Sequence, residues 1–215
     1  MKELKDYLYY EEENPSLKIY CGDCLEILPL LPKVDLVVTD PPYGIGEDGG
    51  KCRTRGCSTP NHSYEGWDSK TPDKKVFDLI ISKSKHQAIF GGNYFTDKLP
   101  VSRGWLYWRK LTGGDFADGE LIWTSRDCVL KEMTKPNKSG KNVHPTQKPV
   151  EVVNWCILRG DYWDKALSIL DPFLGSGTTL VACKELNRNG IGIEISEKYC
   201  AIAKQRLKAT TRSLF

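Results

Sequence analysis

The chain has 215 residues, 40% hydrophobic and 27% charged, with 31 Lys and Arg against 28 Asp and Glu for a net charge of +3. This excludes collagen-like, low-complexity and wholly disordered chains. The length suits one domain, expected over residues 1–215, that buries roughly 70% of its unfolded surface.

Met1–Glu13 is charged and Tyr-rich, without the apolar stretch of a signal peptide. No apolar run approaches the ~20 residues of a membrane span. The eight cysteines therefore read as reduced thiols of a cytoplasmic protein rather than a disulfide framework. Charge is unevenly spread. Met1–Asn14 carries a net −3 and Lys131–Lys148 a net +4, and the tail adds Lys204, Arg206, Lys208 and Arg212. Clustered positive charge can steer toward phosphate, although solvated surface lysines give the same pattern.

Along the chain, strands alternate with helices. Leu17–Tyr20 reads as a short strand and Asp23–Leu31 as a helical turn region ended by Pro29 and Pro32. Val34–Thr39 is an unbroken apolar, β-branched run, the mark of a buried parallel strand. It stops at Asp40-Pro41-Pro42-Tyr43. Residues 44–73 lack periodicity and read as a long mobile loop. Lys75–Lys85 has helical spacing, with His86 at its end, and Gln87–Phe90 is a strand closed by Gly91-Gly92. Gly104–Lys110 and Glu120–Ser125 are two further strands, and Thr134–Thr146 is polar and broken by Pro136 and Pro145.

The C-terminal third continues the alternation. Pro149–Arg159 is a helix, Leu167–Leu170 a strand ending at Asp171, and Thr178–Leu186 a helix. Gly190–Ile195 is a strand with alternating isoleucines, after which Ser196 caps a last helix through Leu207. The order predicts an α/β sheet covered on both faces. Ligands of such sheets bind at the carboxyl ends of the strands, where Asp40, Asp171 and Glu194 stand.

Two of these strand ends suggest chemistry. Asp171-Pro172-Phe173-Leu174-Gly175-Ser176-Gly177-Thr178 runs from strand through a glycine-rich turn into helix. Glu194 follows Asp171 by 23 residues, a spacing that suits a carboxylate on ribose hydroxyls. The turn lacks both the Gly-Lys-Ser/Thr ending of a P-loop and the dinucleotide pattern, and taken alone it reads equally as a tight turn. In Asp40-Pro41-Pro42-Tyr43 the prolines fix φ and remove backbone donors. Asp40 and the Pro41 carbonyl can then each accept an N–H from a planar group carrying NH₂, with Tyr43 on its ring. The bland reading is a proline-stiffened turn.

Taken together, these segments resemble the β-class DNA amino-methyltransferases. Thr39–Tyr43 is similar to their catalytic motif and Asp171–Thr179 to their S-adenosylmethionine loop. His144-Pro145-Thr146-Gln147-Lys148-Pro149 resembles the segment preceding that loop. Gly192–Ile195 with Tyr199, Ala203, Arg206 and Leu207 resembles the closing strand and helix, and Tyr20–Leu25 the opening strand end. The resemblance spans about Ile19 to Leu207, with the motifs in the circularly permuted order of that class. It implies a single-domain Rossmann-like methyltransferase sheet with helices on both faces.

The resemblance also implies roles. Asp40, Pro41, Pro42 and Tyr43 would hold the target amine and base, and Asp40 would border the cofactor as well. Asp23 would contact the cofactor adenine and Glu194 its ribose. Asp171, Phe173, Gly175, Ser176, Gly177 and Thr178 would form the cradle, with Thr146 and Lys148 at the methionine end. The expected reaction moves a methyl group from S-adenosylmethionine to adenine N6 in a flipped-out base. Asp at position 40 favours adenine over cytosine N4. No metal is expected, and the partner would be double-stranded DNA, with single-stranded DNA as an alternative.

Target recognition has little chain available. Residues 126–142 form a minimal recognition segment, supported by the 44–73 loop. Lys51, Arg53, Arg55, Lys135, Lys138 and Lys141 are candidate DNA contacts, and Trp123 is a candidate second aromatic with core packing as its other reading. Cys52, Cys57 and His62 lack an evident fourth zinc ligand, and Cys21-x-x-Cys24 reads poorly as a redox pair. A homodimer and a bacterial or phage-encoded, cytoplasmic setting are further expectations. The competing readings are an inactive cofactor- or DNA-binding accessory protein and a methyltransferase of RNA or protein.

Overall fold

The computed structural model describes residues 2–46, 68–111, 117–136, 147–161 and 165–211. In chain order its strands and helices are β1 (Leu8–Glu12), β2 (Leu17–Cys21), α1 (Cys24–Ile27), β3 (Val34–Thr39), α2 (Lys74–Lys83) and β4 (Ser84–Phe90). There follow β5 (Trp105–Arg109), β6 (Gly119–Thr124), β7 (Lys131–Thr134), α3 (Val150–Asp161), β8 (Ser168–Asp171), α4 (Thr178–Glu185), β9 (Asn189–Glu194) and α5 (Glu197–Ala209).

The strands form one mixed sheet in the order β1-β2-β9-β8-β3-β4-β6-β5-β7. The run β2-β9-β8-β3-β4 is parallel. β6 then lies antiparallel between β4 and β5, and β1 lies antiparallel to β2. The parallel run accounts for the continuous apolar strands, because helices cover both faces and alternate residues pack oppositely. Leu36 and Val38 of β3 join one core with Val152, Ile157 and Leu180, while Val37 joins the other with Phe77 and Ile80. Ala88 and Phe90 of β4 divide from Ile89 in the same way. Each such buried large aliphatic or aromatic side chain contributes about 1.5–3 kcal/mol. This is the α/β sheet covered on both faces that the alternation of elements predicts.

Several local expectations are corrected. His86 lies within β4 and not at a helix end, because α2 stops at Lys83 and the chain enters the sheet at once. β1 and β7 were not anticipated; both are edge strands with largely exposed or half-buried side chains, so neither carries an apolar period. Ser196 occupies the N-cap position of α5, but its side chain makes no capping hydrogen bond. Trp123 is buried among Ile89, Phe95 and Leu99, and its indole N–H donates to the Pro100 carbonyl at 3.0 Å. It is a core residue, closed to a DNA base.

The acidic N-terminal segment is partly consumed by the fold. Glu12 of β1 pairs with Lys184 of α4 at 2.7 Å, and Glu11 with Lys18 at 3.5 Å. Cys21, Cys24, Cys128, Cys156, Cys183 and Cys200 are free thiols. Among the described residues, no helix is long and apolar enough to cross a membrane.

Candidate active site

β3 delivers Asp40 to the carboxyl end of the sheet, and Pro41-Pro42 turns the chain so that Tyr43 folds back toward it. The Tyr43 hydroxyl donates to Asp40 Oδ1 at 2.6 Å. It also lies in a very short contact with Glu120 Oε1. Lys148, which precedes α3, donates to Asp40 Oδ2 at 2.7 Å and to Glu120 Oε1 at 2.9 Å. Lys110, just past β5, pairs with Glu120 Oε2 at 2.8 Å. Glu120 reaches this cluster because β6 runs antiparallel to β4, which puts the start of β6 beside the end of β4.

The Tyr43 ring is set by its neighbours. Tyr94 stacks on it with centroids 4.7 Å apart and planes 12° apart, and Phe95 meets it edge-on at 6.0 Å. Gly91 makes this possible. Its φ is +63°, and a Cβ there would lie 2.3 Å from a Tyr43 ring carbon. Tyr94 itself remains 42% exposed.

Burial dominates the electrostatics. It pushes the Asp40 carboxyl up, with Glu120 adding to the push, against the opposing pull of Lys148 and Tyr43. Burial also pushes Tyr43 well up, reinforced by both carboxylates, so its phenol stays protonated. For Glu120 burial pushes up, but the Lys148 and Lys110 ammonium groups outweigh it and hold the carboxyl at about 2. Burial lowers Lys148, yet Asp40 and Glu120 raise it beyond its ordinary value. The cluster thus contains two carboxylates, two ammonium groups and one phenol, with Asp40 the only one of the carboxylates appreciably open, its side chain 26% exposed against 7% for Glu120.

The glycine-rich loop lies one strand away. Asp171, ending β8, is buried and accepts from the Thr39 hydroxyl at 2.7 Å, the Thr179 hydroxyl at 2.6 Å and the Phe173 N–H at 3.0 Å. Its carboxylate is turned into the protein, where burial pushes it up to about 6. Glu194, ending β9, accepts from the Gly175 N–H at 2.7 Å and the Ser196 N–H at 2.8 Å. From α5, Arg206 donates to the Ser176 carbonyl at 2.7 Å, its hydroxyl at 2.9 Å and the Thr178 hydroxyl at 3.1 Å. The loop is therefore held by Asp171 from beneath, Glu194 at its tip and Arg206 from behind.

Asp23 lies just past β2 and caps α1 by accepting from the Leu25 N–H at 2.8 Å. β2 pairs with β9, and the Gly22 N–H donates to the Glu194 carbonyl at 2.9 Å. Asp23 and Glu194 therefore flank one edge of the loop. A nucleoside-bearing cofactor fits this cradle. A Cβ on Gly175 would meet nothing within 4 Å, and Glu194 sets at the loop tip a carboxylate, an acceptor suited to ribose hydroxyls.

The structure brings together Asp40, Tyr43 and Lys148, and separately Asp171, Phe173, Gly175, Ser176, Gly177, Thr178 and Glu194; the Thr39–Asp171 hydrogen bond ties the two groups. Trp123 stands apart in the core. Lys135 donates to Glu151 at 2.6 Å on the surface. Thr146, Lys51, Arg53, Arg55, Lys138 and Lys141, and the Cys52, Cys57 and His62 triplet, lie outside the described residues. Among the described residues, no group of three His, Cys, Asp or Glu side chains could hold a metal. Glu120, Lys110 and Tyr94 escaped sequence reasoning. The sole hint was an acid opening an apolar strand at Glu120. Arg206 was noted only as a match to the closing helix.

Comparison with known proteins places this arrangement. A family model described as DNA methylase, for transfer to N6 or N4, matches residues 59–205. The Type II methyltransferase M.ScaI of Streptomyces caespitosus is 44% identical, covering 96% of this chain and 86% of its own. That alignment extends over 279 positions, more than this chain possesses, so the relative carries residues that are lacking here. The Type II methyltransferase M.HinfI of Haemophilus influenzae is 28% identical over 97% of this chain and 71% of its own. Among solved structures, an M1.HpyAVI–SAM complex superposes with a TM-score of 0.59 at 22% identity, covering 89% of this chain and 98% of the other. The cytosine-N4-specific PvuII DNA methyltransferase gives 0.57 at 17% identity, over 88% and 86%.

Proposed function

The chain belongs to the N6/N4 DNA methylase family and uses S-adenosylmethionine, and on that premise we propose that it methylates the exocyclic N6 amine of adenine in a base flipped out of DNA. The observation that carries this reading is the pairing of an Asp40–Tyr43 site with a glycine-rich cradle through one hydrogen bond, Thr39 to Asp171 at 2.7 Å. That bond holds amine acceptor and cofactor loop in a fixed relation on adjacent strands.

When bound, S-adenosylmethionine supplies an electrophilic methyl on a sulfonium. Glu194 would hold its ribose, Asp23 would border its adenine, and the Gly175–Thr178 backbone would let it approach closely. Asp40 and the Pro41 carbonyl accept the two N–H groups of the target amine. Accepting both hydrogens localises the nitrogen lone pair, which is otherwise delocalised into the ring. Asp40 would stabilise the positive charge that develops on nitrogen and stands in reach of the proton that the nitrogen must then release. Tyr43 supplies a stacking surface for the extruded base, and the exposed Tyr94 beside it takes the place that sequence reasoning offered to Trp123.

Aspartate at position 40 supports adenine as the base. The deciding experiment incubates the protein with labelled S-adenosylmethionine and unmethylated duplex DNA, then identifies the labelled nucleoside by mass spectrometry. Label on adenine N6 is expected. Label on cytosine N4 would keep the mechanism and replace the base. Asp40→Ala should reduce transfer by about a thousandfold or more while cofactor binding, read by calorimetry, survives. Transfer retained in that variant would remove the mechanism.

A further inference from the structure

We infer that Glu120 is a positioning residue that receives whichever of Tyr43 and Lys148 the target amine displaces from Asp40. This rests on the amine-acceptor role proposed for Asp40. In the structure both Asp40 oxygens already have partners: Tyr43 donates to Oδ1 at 2.6 Å and Lys148 to Oδ2 at 2.7 Å. An incoming amine needs one of them. The displaced donor would lose a charge-assisted hydrogen bond in a buried site, which is costly unless a second acceptor is waiting.

Glu120 is that acceptor. Tyr43 has a single hydroxyl proton and two carboxylates within reach, so it can serve only one at a time. Lys148 spans both, at 2.7 and 2.9 Å. Handing the displaced donor to Glu120 needs only a shift of proton and side chain, with no buried donor left unbonded. Lys110 grips the far oxygen of Glu120 at 2.8 Å and keeps the carboxylate in place. Glu120 lies too deep to meet the base itself, since only 7% of its side chain is exposed. It acts through Tyr43 and Lys148.

The inference separates from a purely structural role by pH. The groups around Asp40 are Tyr43, Lys148, Glu120 and, beyond Thr39, Asp171, with Lys110 acting through Glu120. The negative charge of Glu120 helps push Asp40 up. Removing that charge leaves Lys148 with Asp40 as its carboxylate partner, which both blocks the amine and lets Asp40 ionise at lower pH.

The test is single-turnover methyl transfer to DNA across pH for wild type, E120Q and E120D, with cofactor affinity and melting temperature measured alongside. E120Q is expected to slow transfer by about ten- to a hundredfold, to move the acid limb of the rate to lower pH, and to leave cofactor affinity unchanged. E120D keeps the charge at shorter reach, so it should lie between the two in rate with the acid limb of wild type. A wild-type rate in E120Q overturns the inference, and so does a slower rate with an unmoved acid limb. If E120Q does not fold, a wild-type rate in E120D overturns it instead. Wild-type protein that methylates no DNA would remove the proposed function beneath it, a result distinct from a wild-type enzyme indifferent to position 120.

Discussion

Asp171 shows how one residue can serve a site without facing its ligand. Three donors converge on its buried carboxylate, and burial still pushes it from 3.8 up to about 6. A raised carboxyl pKa means that the native state holds a proton the unfolded chain has released. Its contribution to stability is therefore complete below the unfolded value and is lost as pH rises toward about 6. Asp171→Asn should flatten stability across that window while still accepting hydrogen bonds, as thermal melts at a series of pH values would show. Asp171→Ala should cost about 2–4 kcal/mol, because it strands the Thr39 and Thr179 hydroxyls in the core. A melting temperature unchanged in the alanine variant would contradict this account. The contrast with Asp40 is instructive. Both are strand-end aspartates followed by proline, but one turns inward to tie strands and the other remains partly open.

At the scale of elements, the cofactor loop depends on α5. Arg206 reaches back from that helix with three hydrogen bonds to Ser176 and Thr178. Arg206→Ala should weaken S-adenosylmethionine binding by about tenfold with a folded sheet, measured by calorimetry and circular dichroism. Gly177 marks the closest approach of loop and helix. Its φ is +87°, and a Cβ would sit 2.7 Å from that of Ala203. Gly177→Ala should cost about 2 kcal/mol or more through backbone strain and overlap with α5, visible as a lower melting temperature and weaker cofactor binding together. The strand order follows the same logic. β6 is the element that completes the catalytic end, because its reversed direction carries Glu120 to the carboxyl ends of β3 and β4.

Across the whole molecule, charge is less free than composition suggests. The basic stretch 131–148 has a net +4, yet Lys148 is only 11% exposed and is committed to two carboxylates, and Lys135 pairs with Glu151. The remaining candidates for phosphate contact lie outside the described residues. The logarithm of DNA affinity should still fall linearly with the logarithm of salt concentration, with a slope of about −0.9 per phosphate contacted in duplex DNA. Fluorescence anisotropy at several salt concentrations reads that slope. A slope near zero would contradict phosphate-led binding.

What the sequence determined by itself was local. Val34–Thr39 into Asp40–Tyr43, and Leu170–Thr178 with Glu194, are strand-to-loop transitions whose shape is set by adjacent prolines, glycines and β-branched residues, so they could be read without knowing their neighbours. The alternation of apolar strands and helices revealed the covered sheet for the same reason. Edge strands β1 and β7 carry no such signal, since half their surroundings are solvent. Only the tertiary structure decided what meets Asp40. Glu120 lies 77 residues from Tyr43 and Lys148 lies 105 from it, and residues that far apart share a site only through strand order and direction. Trp123 went the other way, into the core. Side chains on successive strand residues alternate between faces, and tertiary packing sets which face meets the partner elements.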